Sequence, residues 1–247
     1  MRVKRRTFAG IMCEQEVYQV GPRVKDIKNA LPKRVRFKTA EERQKHKDNI
    51  SRKKFIRMIL ENFNPFGVYS TLTMDDENEV HTFKDAKRLR DNYARRLKRA
   101  CPDALFVIVC GRGKNTQRIH FHMMSMGIPR ETIIEKWNMG EVSRVVPLRE
   151  HCYYDEVDHG PDYTALANYL FDHWTPEQGG HRWYATKNME EPQREDAKEV
   201  KTDFRPGKPP EMKGYILVEQ KTTPYGYIYF KFIKEPKKEP RKAKRRQ

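Results

Sequence analysis

The chain has 247 residues, 37% hydrophobic and 34% charged, with a formal net charge of +17. That length supports a full hydrophobic core, and no run approaches the ~20 apolar residues of a membrane helix. The positive excess makes a polyanion, nucleic acid first, the expected partner. Met1–Arg6 (MRVKRR) lacks the apolar stretch of a signal peptide, and the four cysteines form no C-x-x-C pair. A reducing cytosol, bacterial in the first instance, is therefore expected, with no disulfide frame and no cysteine zinc site.

Residues 1–38 read as a basic, irregular arm with at most a short strand at Val17–Val20. Thr39 to Asn62 reads as a helix. Thr39 and Glu42 fit a capping box, and Ile50, Phe55, Ile59 and Leu60 give its apolar stripe. Val68–Met74 (VYSTLTM) is β-branched and aromatic, a strand. The acidic run Asp75–Glu79 reads as a solvated turn. Phe83–Ala100 carries Ala86, Leu89, Tyr93, Ala94 and Leu97 at helical spacing.

Ala104–Cys110 (ALFVIVC) suits a strand buried on both faces, and Gly111–Gln117 a hairpin turn. The returning arm is Arg118–Ser125 (RIHFHMMS). Strand side chains alternate, so His120 and His122 share one face and Phe121 takes the other. Two rises of roughly 3.3 Å separate the imidazoles at the backbone. The pair can converge on one divalent ion, and neutral imidazole is a common metal ligand. Arg112, Lys114 and Arg118 sit near the hairpin tip, placed to grip phosphates or to keep a loop soluble.

Pro129–Met139 reads as a short helix, Glu141–Leu148 as a strand, and 151–160 as a loop rich in potential ligands. In Asp162–Trp174, residues Tyr163, Leu166, Ala167, Leu170 and Trp174 form the buried stripe of a helix. Tyr163 is thus a core aromatic. Tyr169 falls off the stripe with His173 one turn on, which leaves it available for chemistry. His181–Asn188 alternates basic, aromatic and small residues. Arg182, Trp183 and Lys187 there suit contacts to bases and phosphates, or simply an edge strand. A charged, Pro-rich linker, a hairpin over 214–232 and a basic tail complete the chain. The expected division is 1–62, arm and helix; 63–190, main domain; 191–233, linker and accessory hairpin; 234–247, disordered tail.

The expected fold is α+β, a central antiparallel sheet flanked by helices. A metal held by two histidines beside an available tyrosine suggests attack on phosphorus, with the ion as Lewis acid and His173 as a general base for Tyr169. The segments VYSTLTM, VIVCGRGKNTQRIHFHMMS, EKWNMGEVSRV, ANYLFDHW and HRWYATKN, in that order, resemble the HUH endonucleases, in particular rolling-circle replication initiators of plasmids and phages. The resemblance spans about Val68 to Asn188. It implies a ferredoxin- or RRM-like sheet, Mg²⁺ or Mn²⁺ on His120 and His122, and Tyr169 as nucleophile forming a 5′-phosphotyrosyl link. It implies single-stranded or hairpin DNA at a replication origin as substrate, with a host helicase and polymerase as partners. No G-x-x-x-x-G-K-[ST] loop is present to supply a helicase of its own.

The chain departs from the family at three places. Gly111 stands where many relatives carry a glutamate as third ligand, leaving His173, the 151–159 loop or water as candidates. Ala165 replaces a second tyrosine, and Asp172 replaces a lysine. A relaxase or single-strand transposase would use the same chemistry, and a nucleic-acid-binding protein without catalysis is the alternative from another class.

Overall fold

The computed structural model describes residues 1–21, 25–32, 39–113, 116–151, 161–173, 182–200, 209–223 and 226–235. In chain order the elements are β1 (Arg2–Ala9), β2 (Met12–Gln19), α1 (Ala40–Asn62), β3 (Val68–Thr73), α2 (Phe83–Ala100), β4 (Leu105–Arg112) and β5 (Ile119–Met126). Then come α3 (Arg130–Lys136), β6 (Val142–Pro147), α4 (Thr164–Asp172), β7 (Trp183–Ala185), β8 (Gln193–Arg194), β9 (Lys198–Glu199), β10 (Tyr215–Thr222) and β11 (Ile228–Lys234). The fold is α+β, with two antiparallel sheets and four helices among the described residues. The chain forms two compact units. One comprises Met1–Phe37, Tyr154–Gly160 and Pro192–Gln247, the other Lys38–Tyr153 and Pro161–Glu191.

The unit that carries the H-x-H pair is built on a five-stranded sheet ordered β6-β3-β5-β4-β7. Strand β5 is central, paired with β4 as a hairpin and with β3 on its other side. Phe121, Met123, Ile108, Cys110 and Leu72 share one face and pack with Ala86, Tyr93, Ala94 and Leu97 of α2 and with Ile133 and Trp137. Tyr93 Oη donates to the Ile133 carbonyl at 3.0 Å, tying α2 to α3. Strand β4 is buried on both faces, as its unbroken apolar run predicts.

Thr39 caps α1 as expected: its side chain accepts the Glu42 N–H at 3.1 Å. Phe55, Ile59 and Leu60 are buried, whereas Ile50, expected in the same stripe, is 55% exposed. Among the described residues, the buried positions of α1 all fall in its second half. There Arg52 donates to Asn168 at 3.0 Å and to Asp172 at 2.5 Å. Its guanidinium lies 4.5 Å from the Phe171 ring centroid. Asp172 therefore receives its cation from α1.

The other unit corrects the expected arm over 1–38. Residues 2–9 and 12–19 form a regular hairpin, and the sheet runs β10-β11-β2-β1-β8, with β9 also on β1. The period-two signal in β1 is masked because Arg5 occupies an inward position beside Val3, Thr7 and Ala9. Arg5 is tolerated there because it donates to the Lys28 carbonyl at 2.7 Å. The expected boundary at residue 62 moves accordingly. Helix α1 belongs with the H-x-H unit, and the N-terminal strands belong with the C-terminal hairpin. The tail from 236 onward lies outside the described residues.

Candidate metal centre

The register of β5 sets the site. His120 stands opposite Gly111 on β4 and Thr73 on β3, and His122 opposite Val109 and Thr71. Phe121, fully buried on the far face, anchors the strand with its ring 5.6 Å from that of Trp137. The two imidazole Nε2 atoms lie 3.1 Å apart. His173, at the C-cap of α4, brings the third ring, 4.4 Å from His122 and 5.7 Å from His120 between centroids. One ligand atom from each of the three lies within 4.8 Å of the others, close enough to hold one metal ion.

The outer nitrogens are already engaged. Nδ1 of His173 lies 2.8 Å from the Tyr169 carbonyl, Nδ1 of His120 lies 3.4 Å from the Arg118 carbonyl, and Nδ1 of His122 lies 2.7 Å from Tyr69 Oη. A carbonyl only accepts, so His120 and His173 donate from Nδ1 and turn their Nε2 lone pairs inward. A metal-binding histidine is normally held by a hydrogen bond from its other nitrogen in this way. Burial lowers the pKa of His120 and pushes that of His122 down to about 2, with the neighbouring imidazoles adding to the effect. Both therefore stay neutral at neutral pH, the state a metal ligand requires.

Gly111 makes room for the third imidazole. A Cβ there would lie 2.6 Å from His173 Cδ2 and 3.2 Å from its Cβ and Cγ. No side chain at 111 coexists with His173 in this position. The space a carboxylate would need is filled by an imidazole from another element. His173, expected as a general base, thus has Nδ1 on a backbone carbonyl and its ring against the other two. The ligand position is the one its geometry favours. The 151–159 loop, the other protein candidate, falls on residues whose side chains are outside the described set.

Tyr169 is 48% exposed, with its ring 4.4 Å from His173 and 5.5 Å from His122. Tyr163 is fully buried, in the core. The sheet and α4 thereby bring His120, His122, His173 and Tyr169 to one place.

The residues expected at a DNA surface have other attachments. Arg118 pairs with Asp76 at 2.9 Å and Glu79 at 3.3 Å and donates to the Met74 carbonyl at 2.9 Å, so the acidic turn holds it. Arg182 pairs with Asp48 and lies 4.7 Å from the Phe171 ring centroid. Trp183, on an edge strand, has its ring 4.7 Å from that of Phe55 and tilted 52° to it. Arg112 donates to the His81 carbonyl at 3.2 Å and lies over Phe83. Lys187 is exposed, and Lys114 lies outside the described residues. Sequence reasoning passed over Tyr69 and Arg52. Tyr69 had a signal: it shares strand parity with Thr71 and Thr73, the residues that face the histidines.

The low His122 pKa has a consequence for stability. The unfolded chain binds a proton at this residue below about 6.5, whereas the folded chain does not. Stability is therefore intact above that value and lost as the pH falls through it, at up to ~1.4 kcal/mol per pH unit. Denaturant melts at pH 7.5 and 5.0 are expected to show the loss, and His122→Asn is expected to flatten it. An equally steep slope in that variant would assign the acid sensitivity elsewhere.

No helix among the described residues is long and apolar enough to cross a membrane. No family model matches the chain, no curated protein matches its sequence, and no solved structure matches it. The site stands on its own residues: three clustered imidazoles from a sheet and a helix end, with an exposed tyrosine against two of them.

Proposed function

We propose that this chain is a metal-dependent enzyme that cuts one DNA strand and rejoins it, with Tyr169 as the nucleophile. The observation that carries the reading is an exposed tyrosine ring packed against two of three clustered imidazoles. A bound ion supplies Lewis-acid polarisation of the scissile phosphate. The donor set of three nitrogens favours Mn²⁺ over Mg²⁺, which prefers oxygen ligands.

In the forward step the Tyr169 oxygen bonds to phosphorus and the bond from phosphorus to the 3′-oxygen breaks. The tyrosine proton passes to water, and the departing oxygen takes up a proton. The 3′-hydroxyl is then free to prime a polymerase, and the phosphotyrosyl ester keeps the energy needed for rejoining. The net charge of +17 favours capture of the strand. Initiation of rolling-circle replication at single-stranded or hairpin origin DNA, with a host helicase and polymerase, is the role that fits this chemistry and the family resemblance.

Incubation with single-stranded oligonucleotides and Mn²⁺ is expected to give an adduct that survives denaturing gels. Tyr169→Phe is expected to give none, while Tyr163→Phe retains it. A wild type that forms no adduct, or a Tyr169→Phe variant that still does, overturns the proposal.

A further inference from the structure

Helix α2 carries eight basic and two acidic side chains in 18 residues. Its buried Ala86, Tyr93, Ala94 and Leu97 pack on the sheet face that holds Phe121 and Met123. His120 and His122 take the opposite face of β5. The outer surface of α2 therefore lies on the far side of the sheet from the candidate centre.

With about 100° of turn per residue, Arg88, Asn92, Arg95, Arg96 and Arg99 fall on one stripe of that outer surface. Arg88, Arg95 and Arg99 are exposed. Asn92, Arg95, Arg96 and Arg99 line an open recess of about 220 Å³. The two acidic residues of the helix are committed elsewhere: Asp85 accepts from Thr82 Oγ1 at 2.6 Å, and Asp91 pairs with Arg90 at 2.7 Å. Arg95 donates to Asn92 Oδ1 on its own helix. Among the described residues no carboxylate pairs with Arg88, Arg95 or Arg99. Lys84 and Arg88 stand four residues apart, as do Arg95 and Arg99, and such like-charged pairs weaken a helix. Folding alone gives no reason for this stripe, whereas a polyanion lying across it does.

We propose that the α2 stripe binds the sugar-phosphate backbone of duplex DNA, without regard to sequence, on the side of the sheet away from the histidines. This rests on reading the chain as a DNA-cutting enzyme. From Arg88 to Arg99 the stripe runs roughly 16 Å along a regular helix. Its guanidinium groups are forked donors that suit phosphate oxygens. The stripe offers no aromatic platform: Tyr93 is fully buried, and Phe83 lies under Arg112 at 5.0 Å. Unpaired bases would have nothing to stack on, while a duplex presents phosphates that need only cations. The two faces of the sheet thus hold different stretches of one DNA. The centre takes the unpaired strand, and α2 takes the paired segment beside it.

Arg88→Gln, Arg95→Gln and Arg99→Gln combined remove three exposed charges and keep Arg96, whose guanidinium lies 5.9 Å from the Tyr93 ring centroid. Anisotropy titrations of the full chain use a blunt-ended duplex of arbitrary sequence in EDTA, so neither metal nor chemistry enters. The slope of log Kd against log salt is expected to fall by about 2.7, at ~0.9 per phosphate contact. Affinity at physiological salt is expected to fall about tenfold or more, equally for unrelated sequences. A control carrying Lys213→Gln, Lys221→Gln and Lys234→Gln in the other unit loses the same charge. Its slope is expected to change by less than about 1. Thermal melts of the stripe variant should match or exceed wild type, because its like-charged pairs are gone. A wild-type slope in the stripe variant overturns the proposal. So does an equal loss in the control, which would assign binding to net charge alone. Adduct formation on a short single-stranded oligonucleotide is expected to stay within about threefold of wild type. A drop there as large as the loss of duplex affinity would put the stripe on the cut strand and overturn the division between faces. If the wild type forms no adduct, the cutting assignment falls, and the duplex titrations still decide the surface.

Discussion

His173→Ala is expected to bind Mn²⁺ about a hundredfold more weakly than the wild type, or about 2.7 kcal/mol at ~1.4 kcal/mol per tenfold. The substitution removes one of three imidazoles and leaves the two on β5. Gly111 supplies the sharper arm of this test. A methyl at 111 would overlap the His173 ring, so Gly111→Ala is expected to weaken Mn²⁺ binding at least tenfold in the wild-type background. In the His173→Ala background the same methyl meets no imidazole and is expected to be silent. That difference is a coupling energy, of the kind that residues in contact produce. Gly111→Glu in the His173→Ala background places a carboxylate in the space the imidazole leaves. It is expected to recover at least tenfold of the lost affinity. Calorimetric titration of the four variants and the wild type decides the matter. Unchanged binding by His173→Ala removes the third ligand, and equal costs of Gly111→Ala in both backgrounds remove the steric account.

Phe121→Ala is expected to cost about 3–5 kcal/mol of unfolding free energy, the range for deleting a buried aromatic. Phe121 is fully buried and sits in the cluster that joins the sheet to α2 and α3. Its neighbour Trp137 is held in turn, with the indole N–H donating to the Thr73 carbonyl at 2.8 Å. That leaves little room for the cavity to collapse. Tyr169→Phe, at an exposed position, is expected to change stability by no more than ~0.5 kcal/mol. Urea melts of the two variants should separate them clearly. A Phe121→Ala variant within ~1 kcal/mol of wild type would mean that β5 is held chiefly by its hydrogen bonds to β3 and β4.

The candidate site was legible in the sequence where its geometry is local. Strand alternation put His120 and His122 on one face, and helical spacing separated exposed Tyr169 from buried Tyr163. The Thr39 cap followed from a three-residue pattern. Relations between elements were not legible. Gly111 and His173 lie far apart in sequence, and nothing local reveals that the absent side chain of one is the space for the other. Arg118 looked free because its partners, Asp76 and Glu79, sit in another turn. The N-terminal strands were missed because an inward arginine hid the alternation and because β2 finds its neighbour β11 near the other end of the chain.

That last pairing bears on how the protein is made. During synthesis the H-x-H unit, Lys38–Tyr153 and Pro161–Glu191, is complete well before Ile228–Lys234 leaves the ribosome. Until then β2 presents an unpaired edge, and Cys13 and Val17 lack the Ile228, Phe230 and Phe232 that cover them in the finished sheet. An open apolar edge of this kind invites pairing with another chain. Premature termination or proteolysis before Tyr215 would leave the candidate centre assembled on a molecule prone to aggregate.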